Sequence, residues 1–292
     1  MPDAPEYLPH EDAKQFSDAL GHTASETGFN ARLIEKDYYC SVILRELRPL
    51  FEHGLVFKGG TSLSKVYAGF HRLSEDLDFA ISIDSAATQS IRREAIKDAK
   101  AYLHEMAARL SWITEVQPLT GANKSTQYNG TYAYTSHITG EKDTIKIEIG
   151  LREPMLEAVE TRSAETILID PLRSKRALVP VTVVAMSLRE SYAEKIRAAL
   201  SRREPAIRDL YDLHHAIEAG ILDVDDPSLL ALAKRKLLVH PGEPADVSDA
   251  RFDAFRRQVE SALQPVLRTE DFTGFDVERV FTLLRELNHR LR

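Results

Sequence analysis

The sequence predicts an α+β fold, with a mixed-sheet domain over residues 1–185 and a helical domain over residues 186–292. Three observations predict it. Apolar residues recur at a helix period through the first fifty positions, at period two between Ile113 and Glu153, and at a helix period again beyond Met186.

In chain order, ARLIEKDYYCSVILRELRPLF sets Leu33, Tyr38, Ile43, Leu44, Leu47 and Leu50 on a helical repeat. LVFKGGTSLSKVYAGF reads as a short strand from Leu55 to Phe57, a glycine turn, and a helix starting near Thr61 or Ser62. LDFAIS alternates as a second strand, and residues 85–112 suit one long surface helix. QYNGTYAYTS and DTIKIEIGL are antiparallel strand candidates around Asn-Gly and Gly-Glu turns, and TILIDP and VPVTVVAM are two more. SLRESYAEKIRAALSRR is one helix, and a break at Pro205 leads into another through IRDLYDLHHAIEAG. HPGEPADVS reads as a linker between helices that include LLALAKRKLL and SDARFDAFRRQVESAL.

A chain of 292 residues can bury a substantial core. No apolar run approaches the roughly 20 residues that span a bilayer, and MPDAPEYLPHEDAKQF lacks the basic, apolar plan of a signal peptide. The expected address is cytoplasmic, with no membrane partner. The single cysteine, Cys40, excludes an internal disulfide and a Cys-rich zinc site. A net charge of −7 argues against nonspecific coating of nucleic acid, while leaving room for a local basic groove.

The chemistry concentrates in KGGTS and RLSEDLDFAIS. On a strand, Asp76 and Asp78 point to one face, about 7 Å apart, with Leu77 directed into the core. Two such carboxylates suit a divalent cation whose remaining ligands come from substrate phosphates. Glu148, in IKIEIG, is a third candidate, able to share the ion that activates an attacking oxygen. Upstream, Gly59, Gly60, Thr61 and Ser62 lie between a strand and a helix N-terminus, where backbone N–H groups can approach a phosphate. The Gly-Lys-Ser/Thr ending of a Walker A loop is missing.

GGTS followed by SEDLDF resembles the first motif of the DNA polymerase β-type nucleotidyltransferase superfamily, and is more closely similar to the AbiEii/MenT-type toxins of bacterial toxin–antitoxin systems. The similarity continues in IEKDYYCSVIL, IKIEI and EKIRAALSRREPAIRDLYDLHHA, to about residue 216. It implies a polymerase β-like nucleotidyltransferase domain with a glycine–hydroxyl motif on Gly60, Thr61 and Ser62. It further implies metal-binding aspartates at Asp76 and Asp78, a motif lysine at Lys195, and a late aspartate at Asp212 with Asp209 one turn earlier. Thr61 stands where serine is common and keeps the hydroxyl. The activity implied is metal-dependent transfer from an NTP, with Mg²⁺ or Mn²⁺, to RNA at the tRNA 3′ acceptor end, countered by a cognate antitoxin protein.

Lys195 and Arg202, seven apart on one helix face, could neutralise a triphosphate. Asp212 could orient Lys195 or contact base or ribose, and Asp209 could bind nucleotide or pair with Arg208 or Arg203. Arg92, Arg93, Lys97 and Lys100 form one basic cluster and Arg173, Lys175 and Arg176 another, each either a solvated face or an RNA groove; Lys234, Arg235 and Lys236 are a weaker third. Ser74, two residues before Asp76, either caps a turn or offers a regulatory site where a phosphoryl group would compete with the triphosphate. Two other readings remain open: transfer to a protein or small-molecule hydroxyl, and a non-catalytic partner-binding module.

Overall fold

The computed structural model describes residues 8–239 and 244–292. Helices α1 (Ala13–Thr27), α2 (Ala31–Glu46) and α3 (Arg48–Glu52) come first. Asp12 caps α1 and Asn30 caps α2, their side chains accepting from backbone N–H groups of the first turn. Strand β1 (Leu55–Lys58) passes directly into α4 (Gly59–Ser62). The helix starts two residues earlier than expected because Gly59, at φ +78°, makes the turn by itself. The path continues as a π-turn over Leu63–Tyr67.

Strand β2 (Leu77–Ile81) begins just after Asp76. In place of one helix over 85–112 there are two, α5 (Gln89–Ala95) and α6 (Lys97–Arg109). The break falls at the buried Ile96, and α6 then lays Ala99, Leu103 and Met106 into the core. Strands β3 (Ile113–Ala122), β4 (Gln127–Thr135) and β5 (Lys142–Gly150) form an antiparallel run. Asn129-Gly130 is not a turn: both residues pair inside β4, opposite Glu148 and Ile147, and the chain reverses at Asn123–Ser125 instead. Gly130 is needed where the sheet is tight, since a Cβ there would lie 3.2 Å from the Tyr132 ring. The Gly140 turn, at φ +73°, does join β4 to β5.

Strand β6 (Glu160–Ala164) has no counterpart in the sequence reading, its residues being mostly exposed and polar. TILIDP supplies only β7 (Ile169–Asp170), which forms a small hairpin with β8 (Lys175–Arg176). Strand β9 (Val181–Ala185) completes a seven-stranded mixed sheet in the order β3-β4-β5-β2-β1-β9-β6. Helices α7 (Leu188–Ser201), α8 (Ile207–Glu218), α9 (Pro227–Val239), α10 (Asp249–Arg256), α11 (Thr269–Thr273) and α12 (Val277–Leu291) follow. The linker expected at HPGEPADVS starts in residues 240–243, outside the described residues.

Two hydrophobic cores result. The first gathers residues from Leu8 to Ala185, and the second gathers residues from Tyr192 to Leu291 together with Leu63. Lys236 belongs to no surface cluster: it is fully buried, 2.8 Å from Glu190 and 3.4 Å from Glu153.

In the first core Lys65 is buried with Asp37 at 2.6 Å, and its ammonium also donates to Ser41 Oγ at 2.7 Å. The other Asp37 oxygen accepts from the Ile167 N–H, so this pair joins α2, the π-turn and the chain beyond β6. Removing one member of a buried ion pair strands the other without compensation. Asp37→Ala should therefore lower unfolding free energy by about 3–5 kcal/mol in urea titrations. A Lys65→Met, Asp37→Leu double variant should lose clearly less.

Candidate active site

The sheet order sets the centre of the site. Pairing places Asp78 opposite Lys58 of β1 on one side and opposite Glu148 of β5 on the other. Asp76 stands just before the strand, and both aspartates face the same cleft, of about 830 Å³. Burial pushes the Asp78 carboxyl up to about 6, helped by the charges of Glu148 and Asp76 and only partly opposed by Lys58 and Lys195.

The two glycines are there because neighbours occupy the space a side chain would need. A Cβ on Gly59 would fall 2.3 Å from Asp78 Oδ2, and one on Gly60 would fall 2.3 Å from Arg72 Nη2. The hydroxyls behave differently from expectation. Thr61 Oγ1 donates to the Asp76 carbonyl, Ser62 is completely buried, and neither lines the cleft. Thr61 thus secures the backbone at Asp76, and only the glycines of this motif face the cavity.

Across the cleft, Lys195 projects from α7 with its ammonium 2.6 Å from Asp209 Oδ1 and 2.9 Å from Asp212 Oδ2. Burial alone would lower the Lys195 pKa, but Asp209 and Asp212 more than offset it and hold it raised. Asp212 is sealed beneath, accepting from Arg72 Nε at 2.6 Å, Arg72 Nη2 at 2.8 Å and His71 Nε2 at 2.8 Å. Burial opposes its charge, yet Arg72 and Lys195 keep its carboxyl well below the usual range. Asp212 does not line the cleft but touches two side chains that do, Lys195 and Arg72. Asp209 takes Lys195 and Arg202, the latter at 3.0 Å, while Arg208 lies 3.8 Å from Glu75.

Among the described residues nine cationic side chains line the cleft against five acidic ones, in a chain of net charge −7. Among them Lys58, Arg72, Arg152, Glu194 and Arg197 were not picked out in the sequence. Lys58 adjoins the glycines and Arg72 opens RLSEDLDF, but pairing with Glu194 and Asp212 depends on the fold. The cluster containing Arg92 divides: Arg92 turns inward onto the cleft, donating to the Leu151 and Ser85 carbonyls, while Arg93 and Lys97 do not line it. Arg173, Lys175 and Arg176 sit on the β7–β8 hairpin and its turn, outside the cleft. Ser74 lines the cleft from irregular chain before β2, since the strand does not extend back to it.

Among the described residues no three His, Cys, Asp or Glu side chains are arranged to hold a metal ion by themselves. Asp76 and Asp78 fit a hard cation that completes its shell with phosphate oxygens, and the raised Asp78 pKa marks a site short of positive charge. Glu148 is already engaged, accepting from Gln127 Nε2 at 2.7 Å.

The sequence model of the family described as nucleotidyl transferase AbiEii toxin, type IV toxin–antitoxin system, matches residues 42–281. The chain belongs to the AbiEii family. It is a nucleotidyltransferase, and enzymes of this kind use an NTP and a divalent metal. Family membership also brings an antitoxin partner. Two solved Helicobacter pylori structures are similar at 18% identity and a TM-score of 0.47. One, described as a candidate nucleotidyltransferase, is covered over 94% of each chain; the other, JHP933, is covered over 91% of its length and 94% of this chain. No curated protein matches the chain. No helix among the described residues of this AbiEii protein is long and apolar enough to cross a membrane.

Because the folded Asp78 pKa lies above its ordinary value of 3.8, ionisation destabilises the metal-free fold. That penalty is absent below about pH 4, grows as pH rises toward 6, and is constant above. Asp78→Asn should thus raise unfolding free energy by up to about 3 kcal/mol at pH 7.5 and leave it unchanged at pH 4. Denaturant titrations of the metal-free protein at both pH values measure this.

Proposed function

We propose that this AbiEii protein transfers a nucleotide from an NTP to RNA, with the tRNA 3′ acceptor end as its target, in a reaction dependent on Mg²⁺ or Mn²⁺. The observation that carries the reading is the convergence of Gly59–Gly60, Asp76, Asp78 and Lys195 on one cleft. Its excess of cations over carboxylates favours two polyanions, the triphosphate and an RNA end, over a protein or small-molecule acceptor.

In this reading Asp76 and Asp78, with Glu148 beside them, would hold the metal, which when bound would neutralise triphosphate charge and lower the pKa of the attacking hydroxyl. Gly59 and Gly60 line the cleft, and a phosphate there would meet the backbone N–H groups of the turn into α4. Arg202 and Asp209 contribute to the nucleotide pocket. The acceptor oxygen bonds to the α-phosphorus as the bond to pyrophosphate breaks. Lys195, kept protonated and aimed by Asp212 and Asp209, meets the charge that grows on the departing pyrophosphate. Asp212 is a positioning residue here. Ser74, on the cleft wall, is where a phosphoryl group would compete with the triphosphate.

Incubating the protein with each labelled NTP, total RNA or total protein, and Mg²⁺ or Mn²⁺ should put label on RNA of tRNA size; label on protein alone, or on neither, overturns the reading. Asp76→Ala should abolish transfer without lowering the melting temperature. Lys195→Ala should cut turnover about 10²–10³-fold with little change in NTP affinity. An equal loss in both would make Lys195 a binding residue only.

A further inference from the structure

A second cavity, of about 660 Å³, lies between α5–α6 and the β3–β4 turn. Arg93, Lys97 and Lys100 follow one another at i, i+4 and i+7 along its helical wall, Lys124 comes from the opposing turn, and Tyr128 lies beneath. Among the described residues no aspartate or glutamate lines it. Among the described residues Arg93, Lys100 and Lys124 form no ion pair, and Lys97 has only the exposed Glu94 at 3.6 Å. Four poorly compensated cations on one groove of an acidic chain make a local positive field that attracts a polyanion.

The groove adjoins the active-site cleft. Asn123 lines both cavities, and the helix that turns Arg92 into the cleft turns Arg93 into the groove. At this junction Asn123, Lys124 and Ser125 have φ of +50°, +56° and +64°. Left-handed conformations are uncommon in single non-glycine residues, and a run of three is a strained feature of the kind that gathers at ligand clamps. Gln89 Nε2 to Ser125 Oγ at 3.3 Å and Thr126 Oγ1 to the Asn123 carbonyl at 2.8 Å hold it. The β7–β8 hairpin differs: Arg173 lies 3.6 Å from Asp170, Arg176 donates to the Ile167 carbonyl, and none of its basic residues lines either cavity.

We infer that the groove between α5–α6 and the β3–β4 turn binds the phosphate backbone of the RNA whose end enters the cleft, and that the hairpin cluster does not. The inference rests on the RNA-acceptor reading. Fluorescent bulk tRNA, without NTP or metal, is the probe, titrated against the full chain over a range of salt concentrations. The triple variant Arg93→Glu, Lys97→Glu, Lys100→Glu should bind at least tenfold more weakly at about 0.1 M salt, with a log–log salt slope lower by about two to three. Lys124→Glu alone should lower the slope by about 0.9, which keeps the inference testable if the triple variant melts early. Reversing Arg173, Lys175 and Arg176 should change neither quantity, and NTP affinity should be unaltered throughout. If wild type binds tRNA and the groove variants match it, the groove assignment falls while the RNA-acceptor reading stands. A wild-type protein that binds no RNA overturns both.

Discussion

A fully buried carboxylate, that of Asp212, holds the two sides of the cleft together. Taking that charge out of water is tolerable only because Arg72, His71 and Lys195 all direct hydrogens at it. Its donors come from different parts of the chain: His71 and Arg72 precede β2, whereas Lys195 stands on α7 and Asp212 itself on α8. Satisfying one charge therefore fixes the first core against the second along the floor of the cleft. The same guanidinium lies over Gly60, so the glycine turn is seated on the ion pair that locks the helices.

Two carboxylates in this site have opposite environments. Asp212 is surrounded by positive charge, and Arg72 and Lys195 hold its carboxyl well below the usual range. Asp78 is under-supplied, with Glu148 and Asp76 nearby, and gives up stability in the absence of a cation. In the proposed reading the uncompensated charge stands where a metal would bring positive charge, and the fully compensated one where nothing is exchanged.

Much of this was legible in the sequence, and what was not has definite physical causes. Period two exposed β4, β5 and β9 because their inward faces are apolar, whereas β6 is mostly polar and exposed. Asn129-Gly130 reads as a hairpin turn locally, but the glycine serves tight packing against Tyr132. Asp76, Asp78 and the glycines could be read from spacing because strand geometry and backbone approach are local properties. Arg72 and Lys58 could not, since their partners Asp212 and Glu194 are more than a hundred residues away. Thr61 shows the limit of a motif: its hydroxyl is present, yet it is directed at the Asp76 carbonyl. Lys236 shows the limit of charge runs, because a lysine that ends a run of three cations in sequence is buried among glutamates in space.

The π-turn at Leu63–Tyr67 has a consequence for insertion and deletion. Within this one turn Leu63 enters the helical core and Lys65 enters the sheet core against Asp37. Losing or gaining one residue there would rotate the following side chains by roughly 100° about the helix axis. Leu63 and Lys65 could then not both reach their cores. The length of this segment, five residues from Leu63 to Tyr67, is therefore as strictly constrained as the identity of the glycines before it.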